Sequence, residues 1–297
     1  MSEPGRDLVG YGAHPPSILW PNGARVAVSV VVNFEEGAEQ QVGDGDPVSE
    51  RVGEVLSVVA PGTRDMGQEQ IFAYGMRVGL WRFLHALSAT STPATFYFCG
   101  RAAERAPASA RAVADAGHEA ACHGWRWRPH ADYPDAEAER AELQRAVDAI
   151  QAATGQRPVG FFCRGSESVW TRALLRELGF LYTSNAFDDD LPYDDAGLTV
   201  VPYSLDTNDM KFFHPNGFVR AQDMVDYVRD ALDQLLAEAE RGRSSTLSIG
   251  YHLRIAGRPA RFRACSAVLE HLAGLGDLIW RARRVEIARH FRAAAPA

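Results

Sequence analysis

The chain has 297 residues, 46% of them hydrophobic, which is enough for one large α/β domain or two small ones. Its net charge is −7, from 31 Lys and Arg against 38 Asp and Glu, and the charges are mixed along the chain. This balance argues against a nucleic-acid footprint and against a basic membrane-surface helix. No apolar stretch approaches the roughly 20 residues that a membrane span needs.

The cysteines and the first residues indicate the compartment. The four cysteines show no CxxC spacing, which predicts free thiols. The start, MSEPGRDLVGYG, lacks the basic-then-apolar pattern of a signal peptide. We therefore expect a protein of the reducing cytoplasm.

The first 70 residues predict an extended arm, a buried strand and a long polar segment that lines a functional site. Residues 1–25 are rich in Gly and Pro without periodicity, which is typical of an extended arm. The run from Val26 to Phe34, VAVSVVVNF, predicts a strand buried on both faces, and it ends directly at Glu35 and Glu36. Residues 37 to about 70 are polar and too long for an ordinary connection, so we expect them to form a wall of a functional site.

Strands and helices then alternate along the chain. Further strands are predicted at 94–99, 120–122, 158–163, 180–183, 198–202 and 246–251, the last of them ending in His252. Helices are predicted around 76–87, 107–116, 135–155, 171–178, 225–235 and 268–275. This alternation is typical of a (β/α) barrel whose site lies at the carboxyl ends of its strands. No linker or repeat argues for a second domain, so 26–297 is predicted to be a single catalytic domain.

Polar side chains gather just after the predicted strands. They are Glu35, Glu36, His123, Arg164, Asp206, Asn208, Asp209 and His252. Because strand ends converge in a barrel, these residues can share one pocket. Each one alone is more often structural, since glutamates favour solvated turns and a single histidine is commonly a hydrogen-bonded ring. The phosphate-binding, GxSxG and HExxH motifs are absent, which weakens nucleotide binding and serine hydrolysis as functions.

Several long motifs are spread over nearly the whole chain. They are DLVGYGAHPP, NFEEGAE, GHEAACHGWRW, TGQRPVGFFCRG, GFLYTSNAFDDDLPY, PYSLDTNDM, LSIGYHLRIAGRP and RRVEIARHF. Together they resemble the polysaccharide deacetylase (NodB-homology) superfamily and, within it, the allantoinase-like branch that includes cyclic imide hydrolases. The resemblance implies an α/β fold, a single-domain distorted (β/α) barrel of the NodB-homology type. It also implies hydrolysis of a carbon–nitrogen amide bond.

The sequence departs from the metal site of typical deacetylases in this superfamily. Those enzymes carry an Asp-Asp element, one base and one metal ligand, and an HxxxH pair. The matching positions here are Glu35-Glu36, and His123 with Trp127. Losing one imidazole should remove most of the affinity for zinc, because catalytic zinc usually has three firm protein ligands. The allantoinase-like branch shares these departures and is regarded as working without metal, so we expect no metal and no cofactor.

A metal-free hydrolase of a small cyclic amide, ureide or imide is the leading hypothesis. Glu35 or Glu36 with His123 would activate water, Arg164 or His252 would stabilise the oxyanion, and His252 would protonate the leaving nitrogen. The predicted substrate contacts are Trp125, Trp127, Trp170, Asp206, Asn208 and Arg258. Trp170 stands where branch members have a small amide, which makes allantoin itself less secure than the reaction class.

Two alternatives stay open. One is a metal-dependent deacetylase of an N-acetyl sugar, in which His130 or an Asp replaces the missing ligand. The other is a catalytically inactive small-molecule binding protein on the same fold. The expected partners are a small-molecule substrate and, because the resemblance implies a homotetramer, further copies of this chain. We expect no nucleic acid and no membrane as partners.

Overall fold

A curled, mostly parallel β-sheet carries the predicted site residues at the carboxyl ends of its strands. The computed structural model describes residues 6–294, so residues 1–5 of the predicted arm and the last three residues lie outside it. The strands are β1 (Val26–Phe34), β2 (Ala94–Phe98), β3 (Glu119–Cys122), β4 (Gly160–Phe161), β5 (Tyr182–Thr183), β6 (Tyr193–Asp195), β7 (Leu198–Val200), β8 (Ser245–His252) and β9 (Ile279–Arg281). Their order is β6-β7-β5-β4-β3-β2-β1-β8, β9 also pairs with β1, and only β6 and β7 run antiparallel.

Nine α-helices are described; the first eight pack on the outer face of this sheet, and the last packs against its inner face. They are α1 (Met66–Tyr74), α2 (Leu80–Ala89), α3 (Gly100–Arg105), α4 (Pro107–Asp115), α5 (Ala136–Thr154), α6 (Thr171–Glu177), α7 (Ala221–Ala239), α8 (Pro259–Gly274) and α9 (Arg284–Ala294). The Asp135 carboxylate caps α5 by accepting from the Ala138 amide, and Gly155 ends that helix at φ 78°. None of the described helices is long and apolar enough to cross a membrane.

Strand β1 is the centre of the core, and all nine of its residues are buried. Alternate valines on its outer face pack with the helices, whereas Ala27 and Val31 face the inside of the curl with Tyr97 and Tyr182. Burial on both faces explains the nearly continuous β-branched run. The next inward position after Val31 is Asn33, so the inner face becomes polar at the carboxyl end of the strand.

The predicted α/β fold class is confirmed, because helices pack against a curled, mostly parallel sheet. The sequence pattern nevertheless missed several elements. The wall is shorter than predicted, because α1 begins at Met66. A strand and a helix follow the predicted last strand, namely β9 and α9. The short α3 and β6 were also missed. Three-residue strands and six-residue helices leave too few residues for a periodicity to be recognised.

A π-helical turn, Gly75–Gly79, joins α1 to α2 and passes close to the loop after β8. A Cβ placed on Gly79 would lie 2.2 Å from the backbone oxygen of Leu253. Only glycine therefore allows this approach. This contact holds in place the loop that follows His252 and contains Arg254.

Candidate active site

The carboxylate of Glu35, the first residue after β1, is the centre of a buried cluster. Its Oε1 lies 3.1 Å from Nε2 of His123 and 3.5 Å from Nε2 of His252, and its Oε2 lies 2.6 Å from Nη1 of Arg254. None of these four residues is more than 6% exposed. The cluster forms because the carboxyl ends of β3, β1 and β8 meet at one edge of the sheet.

His123 is held from its other side by a backbone carbonyl. Its Nδ1 lies 2.5 Å from the oxygen of Phe162, and its ring stacks on the Phe162 ring at 5.3 Å. A carbonyl only accepts, so Nδ1 carries a hydrogen and Nε2 faces the carboxylate of Glu35.

His252 is oriented by a second carboxylate, that of Asp209. Asp209 Oδ1 lies 2.6 Å from Nδ1 of His252, while Oδ2 accepts from the backbone amides of His252 and Ala256. Nε2 of His252 points back to Glu35 and lies 3.3 Å from Nδ2 of Asn33. The side chains of Asp209, His252, Glu35 and His123 therefore contact one another in that order, and we refer to this series as the buried chain Asp209–His252–Glu35–His123.

The two adjacent glutamates have opposite electrostatic environments. Burial favours the neutral form of Glu35, but His252, Arg254 and His123 outweigh it, so the pKa of Glu35 lies below its ordinary value. Burial dominates for Glu36 and, with the charge of Glu35 beside it, raises its pKa to about 7. Burial lowers the pKa of His252, yet Glu35 and Asp209 raise it more, so the net shift is upward.

Glu36 points away from the two imidazoles. Its Oε1 accepts from the amide of Arg254 and its Oε2 from the amide of Glu35, both at 3.1 Å. A Cβ on Gly75 would lie 2.4 Å from its Oε1, so the carboxyl group is under the π-helical turn. Glu35 is therefore the member of the pair that contacts His123 and His252.

Arg254 packs against two aromatic rings whose centroids are 6.0 Å apart. Its Cζ is 4.4 Å from the centroid of Phe72 and 4.5 Å from that of Trp127. Arg164 lies over the same Trp127 ring at 3.8 Å, and its two Nη atoms pair with the carboxylate of Glu50 in the wall, at 2.6 and 3.2 Å. Trp127 therefore stabilises two guanidinium groups through cation–π contacts.

The predicted catalytic residues thus divide into three groups. The structure brings Glu35, His123 and His252 together. It places Glu36 behind them, and it pairs Arg164 with Glu50 of the wall rather than with Glu35. Their catalytic roles stay predictions.

The predicted substrate contacts are more scattered. Trp125 is 4% exposed and lies under Arg145 at 3.7 Å, which makes it a packing residue. Trp170 is half-buried at the start of α6 and packs on the core. Asp206 is exposed, and it lines a groove with the arm rather than the Glu35 cluster.

The remaining two predicted contacts lie on either side of the β8 end. Asn208 is buried, and its Nδ2 donates to the Tyr203 hydroxyl at 3.1 Å beside Gly250. Arg258 lies over the Tyr74 ring at 3.8 Å. Substrate contact stays a prediction for all six residues.

Sequence reasoning missed Arg254 and gave Asp209 no role. Arg254 stands in the HLRIAGRP motif two residues after His252, where only Arg258 was singled out. A buried arginine cannot be distinguished from a surface arginine by pattern alone, since arginine is mostly exposed. Asp209 was noticed after a predicted strand, but its bond to His252 crosses 43 residues.

The donor atoms present do not fit the metal ion of typical deacetylases. Among residues 6–294, no group of three or more His, Cys, Asp or Glu is arranged to hold a metal ion. Trp127 stands at the sequence position of the second imidazole, and Arg254 already occupies one oxygen of Glu35. His130 is engaged elsewhere, since its Nδ1 bonds Glu139 at 2.8 Å and its ring packs against Phe161.

Comparison with known proteins supplies the family. A Schizosaccharomyces pombe protein that carries the name of a polysaccharide deacetylase is 34% identical over 316 aligned positions, covering 98% of both chains. The sequence profile of the polysaccharide deacetylase family matches residues 69–183. The chain belongs to the polysaccharide deacetylase family. It is therefore a hydrolase of the deacetylase family, and the predicted resemblance is confirmed.

Two solved members of similar structure extend this result. The crystal structure of PuuE allantoinase is 40% identical, covers 98% of each chain and superposes with a TM-score of 0.92. That of a probable polysaccharide deacetylase from Pseudomonas aeruginosa PAO1 is also 40% identical, covers 98% of this chain and 99% of that one, and has a TM-score of 0.91. The match to the family thus extends over the wall, the sheet and the loop after β8.

Proposed function

We propose that this protein opens a carbon–nitrogen bond of a small cyclic amide, ureide or imide without a metal ion. The observation that carries the proposal is the buried chain Asp209–His252–Glu35–His123, in which a carboxylate lies between two imidazoles. The full-length likeness to PuuE allantoinase supports the substrate class. The burial of the cluster supports a small substrate, because a polymer would need an open groove.

In the first step, the oxygen of a water molecule bonds to the substrate carbonyl carbon. One proton of that water moves to Glu35, and the π electrons of the carbonyl move to its oxygen. Hydrogen bonding to His123 orients the carboxylate for this task. The cations that lower the pKa of Glu35 make it a weak base, but they keep it ionised over the neutral range.

In the second step, the carbon–nitrogen bond breaks. The nitrogen takes a proton from Nε2 of His252, and the lone pair on the oxyanion restores the carbonyl. The acid product loses its remaining proton to solvent. Glu35 returns its proton to His252 across 3.5 Å, and the upward shift of the His252 pKa favours this transfer. Strained cyclic amides have better leaving groups than acetamides, so they need less help from an electrophile.

The test is an assay of a panel: allantoin, hydantoin, succinimide, phthalimide and an N-acetyl sugar. Glu35→Gln keeps the shape of the side chain and removes its basicity, so we expect a loss of at least about 100-fold in kcat on the active ring substrate. Glu270→Gln, on the exposed surface of α8, is the matched control and should leave kcat unchanged. Equal rates for wild type and Glu35→Gln would refute the role of Glu35.

Metal analysis separates this proposal from a metal-dependent N-deacetylase. Protein purified without added metal should be fully active on its ring substrate and insensitive to a chelator. Stoichiometric zinc, together with chelator-sensitive release of acetate from the N-acetyl sugar, would favour the deacetylase instead.

A further inference from the structure

Two hydrogen-bond donors of Arg254, next to Glu35, have no acceptor among residues 6–294. Its Nη1 is used by Glu35, but its Nε and Nη2 have no hydrogen-bond partner within residues 6–294, although both atoms are buried. The residue is 1% exposed. Buried guanidinium donors are normally satisfied, and leaving a charged group unpaired is costly. A partner for this edge is therefore required.

The chemistry of that edge limits what the partner is. Nε and Nη2 lie on one side of the planar guanidinium and donate in parallel, which matches two oxygens on one carbon. The same atom pair does this elsewhere in the chain, where Nε and Nη2 of Arg64 bond the two carboxylate oxygens of Glu69 at 2.6 and 2.7 Å. In Arg254 neither atom has a hydrogen-bond acceptor among residues 6–294.

We propose that the Nε–Nη2 edge of Arg254 binds the two oxygens that share the reacting carbon, first in the tetrahedral intermediate and then in the product carboxylate. The substrate carbonyl has one oxygen and engages the edge only in part. Hydrolysis adds the second oxygen at the same carbon, beside the Glu35 that removed its proton. The edge therefore binds the intermediate more strongly than the substrate, which is the condition for accelerating the step.

The surroundings of the guanidinium favour this role. Phe72 and Trp127 pack against it on adjacent sides, with their ring centroids 6.0 Å apart, and they offer it no hydrogen-bond acceptor. Its charge is opposed by Glu35 at 2.6 Å, so the site tolerates a further anion only through directed hydrogen bonds. The ligand class is accordingly a planar carboxylate on a small ring-opened product, such as a ureido acid. This assignment rests on the proposed hydrolysis for its catalytic part, but not for its binding part.

The first experiment needs no variant that risks misfolding. The probes are N-carbamoylglycine, the acid formed by opening hydantoin, and N-carbamoylglycinamide, which lacks the carboxylate. We expect the acid to bind at least about 10-fold more tightly than the amide, from one charge-assisted pair of bonds. In a ¹H–¹⁵N spectrum of arginine Nε groups, one protected resonance should shift when the acid is added. No shift at saturating acid, or equal affinity for acid and amide, would mean that the edge holds only ordered water and would overturn the assignment.

A charge-conserving variant then tests the geometry. Arg254→Lys keeps a cation beside Glu35 and removes the parallel donors. It should abolish the preference for acid over amide and remove the shifting resonance, and it should lower kcat by about 10- to 100-fold with a smaller change in KM. Arg145→Lys, which also exchanges an arginine lying on a tryptophan, is the control and should change neither quantity. An unchanged acid preference in Arg254→Lys would contradict the proposal.

The two proposals can fail separately. If no cyclic substrate is hydrolysed but N-carbamoylglycine still shifts the Arg254 resonance, the binding edge stands and the proposed function falls. If cyclic substrates are hydrolysed at a Glu35-dependent rate while the acid leaves the resonance unmoved, only the edge assignment falls.

Discussion

Replacing Glu36 with glutamine should change how the stability of the protein depends on pH. The pKa of Glu36 is raised by burial from an ordinary 4.5 to about 7. The unfolded chain therefore ionises this group from about pH 4.5, whereas the folded protein keeps the proton until about pH 7. Folding stability contributed by the neutral group is complete below the unfolded pKa and is lost as the pH rises through this window.

The size of the effect follows from the two pKa values. A shift of one unit corresponds to about 1.4 kcal/mol, so the full cost is about 3 kcal/mol above pH 7. Most of this cost develops between pH 5 and pH 8. Glutamine cannot accept from both backbone amides that Glu36 serves, which adds a penalty that does not depend on pH. The quantity to compare is therefore the change with pH and not the absolute stability.

Urea unfolding at pH 5, 6, 7 and 8 measures this change. The free energy of unfolding of Glu36→Gln, minus that of wild type, should rise by roughly 2–3 kcal/mol from pH 5 to pH 8. Glu270→Gln, with its exposed side chain, should give a flat difference. A flat difference for Glu36→Gln as well would show that Arg254 outweighs burial and keeps Glu36 ionised, which would refute the reasoning about this buried pair.

Two further predictions concern how the site is positioned. Asp209→Asn removes one of the charges that raise the pKa of His252. The alkaline limb of the pH–rate profile should therefore move to lower pH, and kcat at pH 8 should fall at least about 10-fold. An alkaline limb at the wild-type pH would indicate that Glu35 alone raises this pKa. Gly79→Ala would place a Cβ 2.2 Å from a backbone oxygen and should lower both the thermal midpoint and kcat. The control is Gly274→Ala, whose Cβ would meet nothing within 4 Å and which should stabilise α8 by up to about 1 kcal/mol. Equal thermal midpoints for Gly79→Ala and wild type would contradict the close contact at the π turn.

The sequence allowed the fold and the centre of the site to be predicted because both depend on local pattern. The run from Val26 to Phe34 is long and β-branched, and the polar residues stand directly after such strands. Parallel strand ends meet at one edge, so Glu35, His123 and His252 were expected to lie close together, and they do.

What could not be predicted depends on contacts between distant segments. Arg254 reaches Glu35 across 219 positions, and Arg164 turns to Glu50 across 114. Which glutamate of the pair faces the imidazoles depends on a π-helical turn that no periodicity indicates. These features follow from tertiary packing, which local preference does not specify.

Trp127 does more in this site than remove a metal ligand. Its ring makes cation–π contacts with both Arg254 and Arg164. The guanidinium of Arg254 therefore takes the position beside Glu35 that a metal ion would need. Restoring the imidazole alone should therefore not restore a metal site. We expect Trp127→His to bind no stoichiometric zinc in equilibrium dialysis, because Arg254 still holds one carboxylate oxygen at 2.6 Å and repels a divalent cation. Zinc bound one-to-one by this single variant would show that the missing imidazole, and not the buried arginine, is what excludes the metal.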